Sequence, residues 1–77
     1  MARIQTESGS RNVQTDTYKG RQIEIATGYD AISDKWQAHI YIDGQKLIGK
    51  LLCHSMNEAF DEAFRAAQAE IDQRAQF

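Results

Sequence analysis

Lys35-Trp36-Gln37-Ala38-His39-Ile40-Tyr41-Ile42-Asp43-Gly44-Gln45-Lys46-Leu47 is the stretch on which the fold turns. Trp36, Ala38, Ile40 and Ile42 alternate with Gln37, His39 and Tyr41, the period of two that gives a strand one apolar and one polar face. Asp43-Gly44 follows at once. A two-residue type I′ hairpin turn needs positive φ at both central positions, which this dipeptide tolerates. Counting back from that turn pairs Ile42 with Gln45, Tyr41 with Lys46, Ile40 with Leu47, His39 with Ile48, Ala38 with Gly49, Gln37 with Lys50 and Trp36 with Leu51. Trp36, Ala38, Ile40, Leu47 and Leu51 then share one face. A slip of one residue would set the apolar face of one strand against the polar face of the other, so turn and pattern support the same register.

Upstream, Gln22-Ile23-Glu24-Ile25 alternates in the same way after a turn at Lys19-Gly20. Thr27-Gly28-Tyr29-Asp30 and Ser33-Asp34 carry loop chemistry and separate this strand from the next. Val13, Thr15 and Thr17, spaced by Gln14 and Asp16, suit a short extra N-terminal edge strand. Residues 1–12 are small and polar without hydrophobic period, and a flexible tail is expected there.

Downstream, Ser55-Met56-Asn57-Glu58 has the form of a capping box, in which a serine hydroxyl accepts from an otherwise orphaned helical amide. Ala59, Phe60, Ala63, Phe64, Ala67 and Ile71 recur at helical spacing beyond it, and no proline interrupts the run through Arg74. The expected fold is α+β: one β-β-β-α domain over residues 13–77, a three-stranded antiparallel meander packed on one C-terminal helix. Its core should comprise Ile23, Ile25, Trp36, Ile40, Leu47 and Leu51 under Phe60, Phe64 and Ile71, with Trp36 as the central aromatic.

A chain of 77 residues supports one core, and 42% hydrophobic with 26% charged residues is ordinary globular usage. A net charge of −2 offers no global attraction to nucleic acid or anionic lipid. Cys53 is the only cysteine and has no internal partner for a disulfide, which fits a reducing cytoplasm. No apolar run approaches the roughly 18 residues of a membrane span, and Met1-Ala2-Arg3-Ile4-Gln5 lacks the apolar core of a secretory signal. A cytoplasmic protein with no membrane partner is expected.

Little in the sequence points to catalysis. Cys53, His54 and His39 follow no zinc spacing, and no third group is placed to orient a cysteine–histidine pair, so neither a metal nor a catalytic thiol is expected. Glu58, Asp61 and Glu62 sit on the first helical turns, where carboxylates favour the positive end of the helix dipole without any reaction to perform. Phosphate-binding patterns are absent, and no cofactor is expected.

Tyr18-Lys19-Gly20-x-x-Ile23, Trp36-x-Ala38-x-Ile40, Ser55-x-x-Glu58-Ala59 and Ala69-x-Ile71-Asp72 together resemble short uncharacterised bacterial proteins of β-meander plus C-terminal helix form. That resemblance implies a fold and a bacterial origin, and it carries no functional residue. The strand and helix order also resembles the latter part of a double-stranded-RNA-binding domain, without its first helix or its lysine-rich helix start.

Function is therefore expected on the sheet face that a single helix leaves open. The hairpin register sends Gln37, His39, Tyr41, Lys46, Ile48 and Lys50 to that face with Leu52, a mixed aromatic, basic and aliphatic surface. The reading is a non-enzymatic protein-interaction module that binds a protein partner or a second copy of itself. The alternative is weak nucleic-acid binding through Lys19, Arg21, Lys46 and Lys50, with Tyr41 and His39 for stacking.

Overall fold

The computed structural model describes residues 4–8, 11–47, 49 and 51–74. The strands are β1 (Ile4–Ser8), β2 (Arg11–Tyr18), β3 (Arg21–Asp30), β4 (Lys35–Ile42), β5 (Gln45–Lys46) and β6 (Leu51–Cys53), and helix α1 covers Met56–Arg74. They form one antiparallel sheet in the order β1-β2-β3-β4-β5, with β6 also on β4, and the helix packs on one face. The α+β class is the one the patterning implies.

The Asp43-Gly44 turn forms with φ of 50° and 82°, and Ile42 pairs with Gln45 and Tyr41 with Lys46. Lys19-Gly20 makes a second turn of this kind between β2 and β3. Alternation on β3 and β4 sends Ile23, Ile25, Thr27, Ala38, Ile40 and Ile42 inward, all of them buried. Above them, Ala59, Phe60, Ala63, Phe64, Ala67 and Ile71 form the buried stripe of α1. Ser55 caps the helix: its Oγ accepts from the Glu58 amide at 3.1 Å, and its carbonyl accepts from the Ala59 amide at 3.0 Å.

Four details depart from the sequence reading. The stretch through residue 12, read as a tail, contributes β1 and the start of β2, and β1 pairs along its length with β2 from Ile4 opposite Thr15 to Ser8 opposite Arg11. A polar edge hairpin is held by backbone ladders, which leave no hydrophobic period to read. Secondly, Thr27–Asp30 is strand, not loop. Thr27 is buried opposite Ala38, Gly28 pairs with Gln37 in extended backbone, and the turn narrows to the four residues before Lys35.

The third concerns register. Up to Leu47 the hairpin runs as counted, the Leu47 amide donating to the Ile40 carbonyl at 2.9 Å. Beyond it, Ala38 pairs with Leu51, Gln37 with Leu52 and Trp36 with Cys53. The pairings of Ala38 with Gly49, Gln37 with Lys50 and Trp36 with Leu51 are therefore replaced by a two-residue offset. Gly49, at φ 104°, takes a backbone conformation that L side chains rarely adopt, and the chain bends out between β5 and β6 there. Because the offset is even, Leu51 and Cys53 keep the inward face and Leu52 the outward one.

Lastly, Trp36 is not the central core aromatic. It lies half-buried at the end of the sheet, edge-on to Tyr29 with ring centroids 5.7 Å apart, while Phe60 and Phe64 are each 1% exposed. The helix runs over β3, β4 and β6, so its own two phenylalanines occupy the centre.

Candidate interaction surface

With the helix on the inner face, β2 to β5 present their alternate residues on the other side. The registers align Thr15, Glu24, Tyr41 and Lys46 in one row across β2, β3, β4 and β5, and Val13, Ala26 and His39 in the next. Gly28, Gln37 and Leu52 make a third row. Gln37, His39, Tyr41 and Lys46 are thus brought together as the alternation required. Ile48 and Lys50 lie outside the described residues.

The surface has a low floor and raised margins. Ala26, although outward, is only 7% exposed because its cross-strand neighbours Val13 and His39 flank it, and a side chain added at Gly28 would meet nothing within 4 Å. Gln37 is held at the rim by donating from Nε2 to Asp30 Oδ2 at 3.1 Å. Asp30 also accepts from the Ile32 amide and the Ser33 hydroxyl, which closes the turn before β4. Leu52, an apolar group beside Gln37, is left 45% exposed.

A recess of about 160 Å³ opens near the Asp43-Gly44 turn, lined by Gln22, Glu24, Tyr41 and Gly44. The sequence reading did not assign Gln22 or Glu24 to the site. Glu24 was legible as outward from its place between Ile23 and Ile25. Its position beside Tyr41 depends on the β3–β4 register, which is set by the turn that the loop reading made too long.

Charge is distributed unevenly between this face and the rest. Lys19 Nζ lies 2.6 Å from Asp72, which also accepts from the Tyr18 hydroxyl, and Arg21 lies 2.8 Å from Asp43. The hydrogen bond from Lys19, and then that from Tyr18, hold the Asp72 carboxyl below the usual aspartate range, and Asp72 in turn raises Lys19. The hydrogen bond from Arg21 and that from the Gln22 amide lower Asp43 likewise. Glu24 and Lys46 have no ion-pair partner among the described residues; each is exposed, with Tyr41 between them.

The other candidates for chemistry are spread apart. Cys53 is buried on the inner face, His54 is exposed beyond it, and His39 belongs to the outer face. Burial first, then the charges of Glu58 and Glu62, push the Cys53 thiol up from its ordinary value. That keeps it in the less nucleophilic thiol form. Among the described residues no three His, Cys, Asp or Glu side chains are grouped to hold a metal, and no helix is long and apolar enough to cross a membrane.

One further cavity, a cleft of about 320 Å³, lies where the chain bends between β5 and β6, bordered by Leu47, Gly49, Leu51, Ala66 and Glu70. Its walls are apolar apart from Glu70, which Arg74 engages at 3.1 Å, so it lacks the convergent polar groups that orient a small ligand. In comparisons with known proteins, no family model, curated protein or solved structure matches this chain.

Proposed function

We propose that this protein is a non-enzymatic protein-interaction module whose contact surface is the outer face of the sheet. The observation that carries this reading is the grouping of Tyr41, His39, Gln37 and Leu52 around the low floor of Ala26 and Gly28, on a face that α1 does not cover. An aromatic that stands beside small residues and a polar rim is the anatomy of a contact patch, because the aromatic can be desolvated while the rim keeps its hydrogen bonds. A reducing, cytoplasmic setting belongs to the same reading, since the lone Cys53 thiol is buried and held protonated.

Nucleic-acid binding is the second reading, carried by Lys46 beside Tyr41 in the same row. It draws less support. Lys19 and Arg21 are engaged by Asp72 and Asp43, and Glu24 flanks Tyr41 on its other side, where it would repel a phosphate chain.

A photo-crosslinking amino acid placed at position 41, and separately at the exposed helix position 65, separates these readings in living cells. Protein adducts from position 41 and none from position 65 are expected. Adducts from position 65 alone would remove the outer face from consideration, and nucleic-acid adducts from position 41 would favour the second reading.

A further inference from the structure

The row Thr15, Glu24, Tyr41, Lys46 has a symmetry that the contact surface alone does not require. Within it Tyr41 stands between Glu24 and Lys46, a carboxylate one strand to one side and an ammonium one strand to the other, neither of them in an ion pair among the described residues. Neighbouring strands lie about 4.8 Å apart, so Glu24 and Lys46 are about equally far from the line of β4. When two copies pack face to face about a two-fold axis along that line, each point on the β3 side of one copy faces the β5 side of the other. Glu24 then meets Lys46 of the second copy, and the contact occurs twice.

The recess adds an independent feature. Glu24 and Tyr41 both line it, so an ammonium entering it would meet an acidic and an aromatic residue together. Lys46 is the group that the two-fold axis delivers there. Packed sheets stand about 10 Å apart, a gap that a glutamate and a lysine reaching toward each other can span. Ala26 and Gly28 lower the floor of the next rows and let the backbones approach.

We infer that the partner of this face is a second copy of the same chain, packed sheet to sheet about an axis along β4, with Lys46 of each copy seated in the other's recess against Glu24 and Tyr41. This rests on the outer face being the contact surface. With the axis along β4, only β3, β4 and the β5 side overlap. Three strands about 4.8 Å apart over some five residues make a footprint on the order of 250 Å² per copy, well below the roughly 800 Å² of a standard stable interface. The dimer is accordingly a reversible one. Paired charges set its register and its choice of partner more than its affinity.

Sedimentation equilibrium from about 10 µM to 1 mM, where a small interface of this kind is read, tests the arrangement with circular dichroism as the check on folding. The unaltered chain should associate as a dimer. Glu24→Lys should weaken that dimer about tenfold or more by setting one ammonium against another across the interface, and Lys46→Glu should do the same with two carboxylates. An equimolar mixture of the two variants should form a heterodimer close to the original affinity, because one contact is the original Lys46–Glu24 pair and the other is the same pair with its charges exchanged. A mixture no tighter than either variant alone overturns the arrangement. So does a chain that stays monomeric throughout the range; if position 41 then still crosslinks to some other protein, the second copy is refuted while the contact face stands. A dimer indifferent to Glu24→Lys, Lys46→Glu and Tyr41→Lys refutes the arrangement and the contact face together.

Discussion

Ile25 and Glu24 are neighbours in the chain, as are Ile40 and Tyr41, yet each pair is divided between two environments by the pleat of one sheet. On the inner side, Ile23, Ile25 and Ile42 are at most 1% exposed and lie under Phe60 and Phe64. On the outer side, Glu24 and Lys46 are open to solvent and Tyr41 is partly so. The inner residues contribute to stability through area removed from water and through close packing, both of which are lost when a side chain is truncated. The outer residues make few such contacts, so a change there alters what the protein meets more than whether it folds. Outer substitutions should therefore change association while leaving stability nearly as it was, whereas inner ones act first on whether the sheet forms at all.

The strongest test of that division is Phe64→Ala, which should cost about 3–5 kcal/mol, enough to unfold a domain of this size. Chemical denaturation reads the loss, and a cost under about 1 kcal/mol would mean that α1 does not anchor the core. Next is Trp36→Ala, expected to cost about 2 kcal/mol, less than the range for a fully buried aromatic, because Trp36 is half-buried at the sheet end against Tyr29. If its melting shift equals that of Phe64→Ala, the tryptophan belongs to the centre after all.

Ser55→Ala should cost about 1 kcal/mol by leaving the Glu58 amide without its acceptor. Ser55→Asp should recover most of this loss, which separates capping from any other role of the position. Tyr41→Lys, measured on dilute protein, should change stability by no more than about 0.5 kcal/mol. A loss comparable to Trp36→Ala would show that the outer face is structural and would dissolve the contrast between the two faces.

The smallest effect concerns acid. Asp72 is held below its ordinary pKa by Lys19 and then by Tyr18, so its contribution is fully present above the usual aspartate range. It is lost as pH falls through the lowered folded-state value. Asp72→Asn should therefore lower stability slightly near neutrality and flatten the decline below about pH 4. Equilibrium unfolding measured from neutral to acidic pH checks this, and parallel curves for the two proteins would show that the Lys19–Asp72 contact adds nothing in solution.

Much of the architecture was already legible in local chemistry. Asp43-Gly44 accepts the two positive φ angles of its turn whatever surrounds it, and that turn dictates the first pairs, Ile42 with Gln45 and Tyr41 with Lys46. Alternation on β3 and β4 set their inner faces. Ser55 and the stripe from Ala59 to Ile71 set the start and buried side of α1, and the same alternation placed Gln37, His39, Tyr41 and Lys46 together outside. Such features depend on one residue's conformational freedom or on a short period, and both are written in the chain.

The remainder was decided in three dimensions. The offset between Leu47 and Leu51 is even, so it leaves every residue on its side and produces no break in the alternation; only the meeting of β6 with β4 shows it. The β1–β2 hairpin is held by backbone ladders that leave no apolar trace, and Trp36 lost the centre because the helix brings its own phenylalanines there. Glu24 and Lys46 lie 22 positions apart in the sequence and come to flank Tyr41 only when β3 and β5 pair with the two edges of β4. Periodicity states which side of a strand a residue occupies, but which residues stand next to each other across strands is set by register and by loop lengths, and these are settled when distant segments pack.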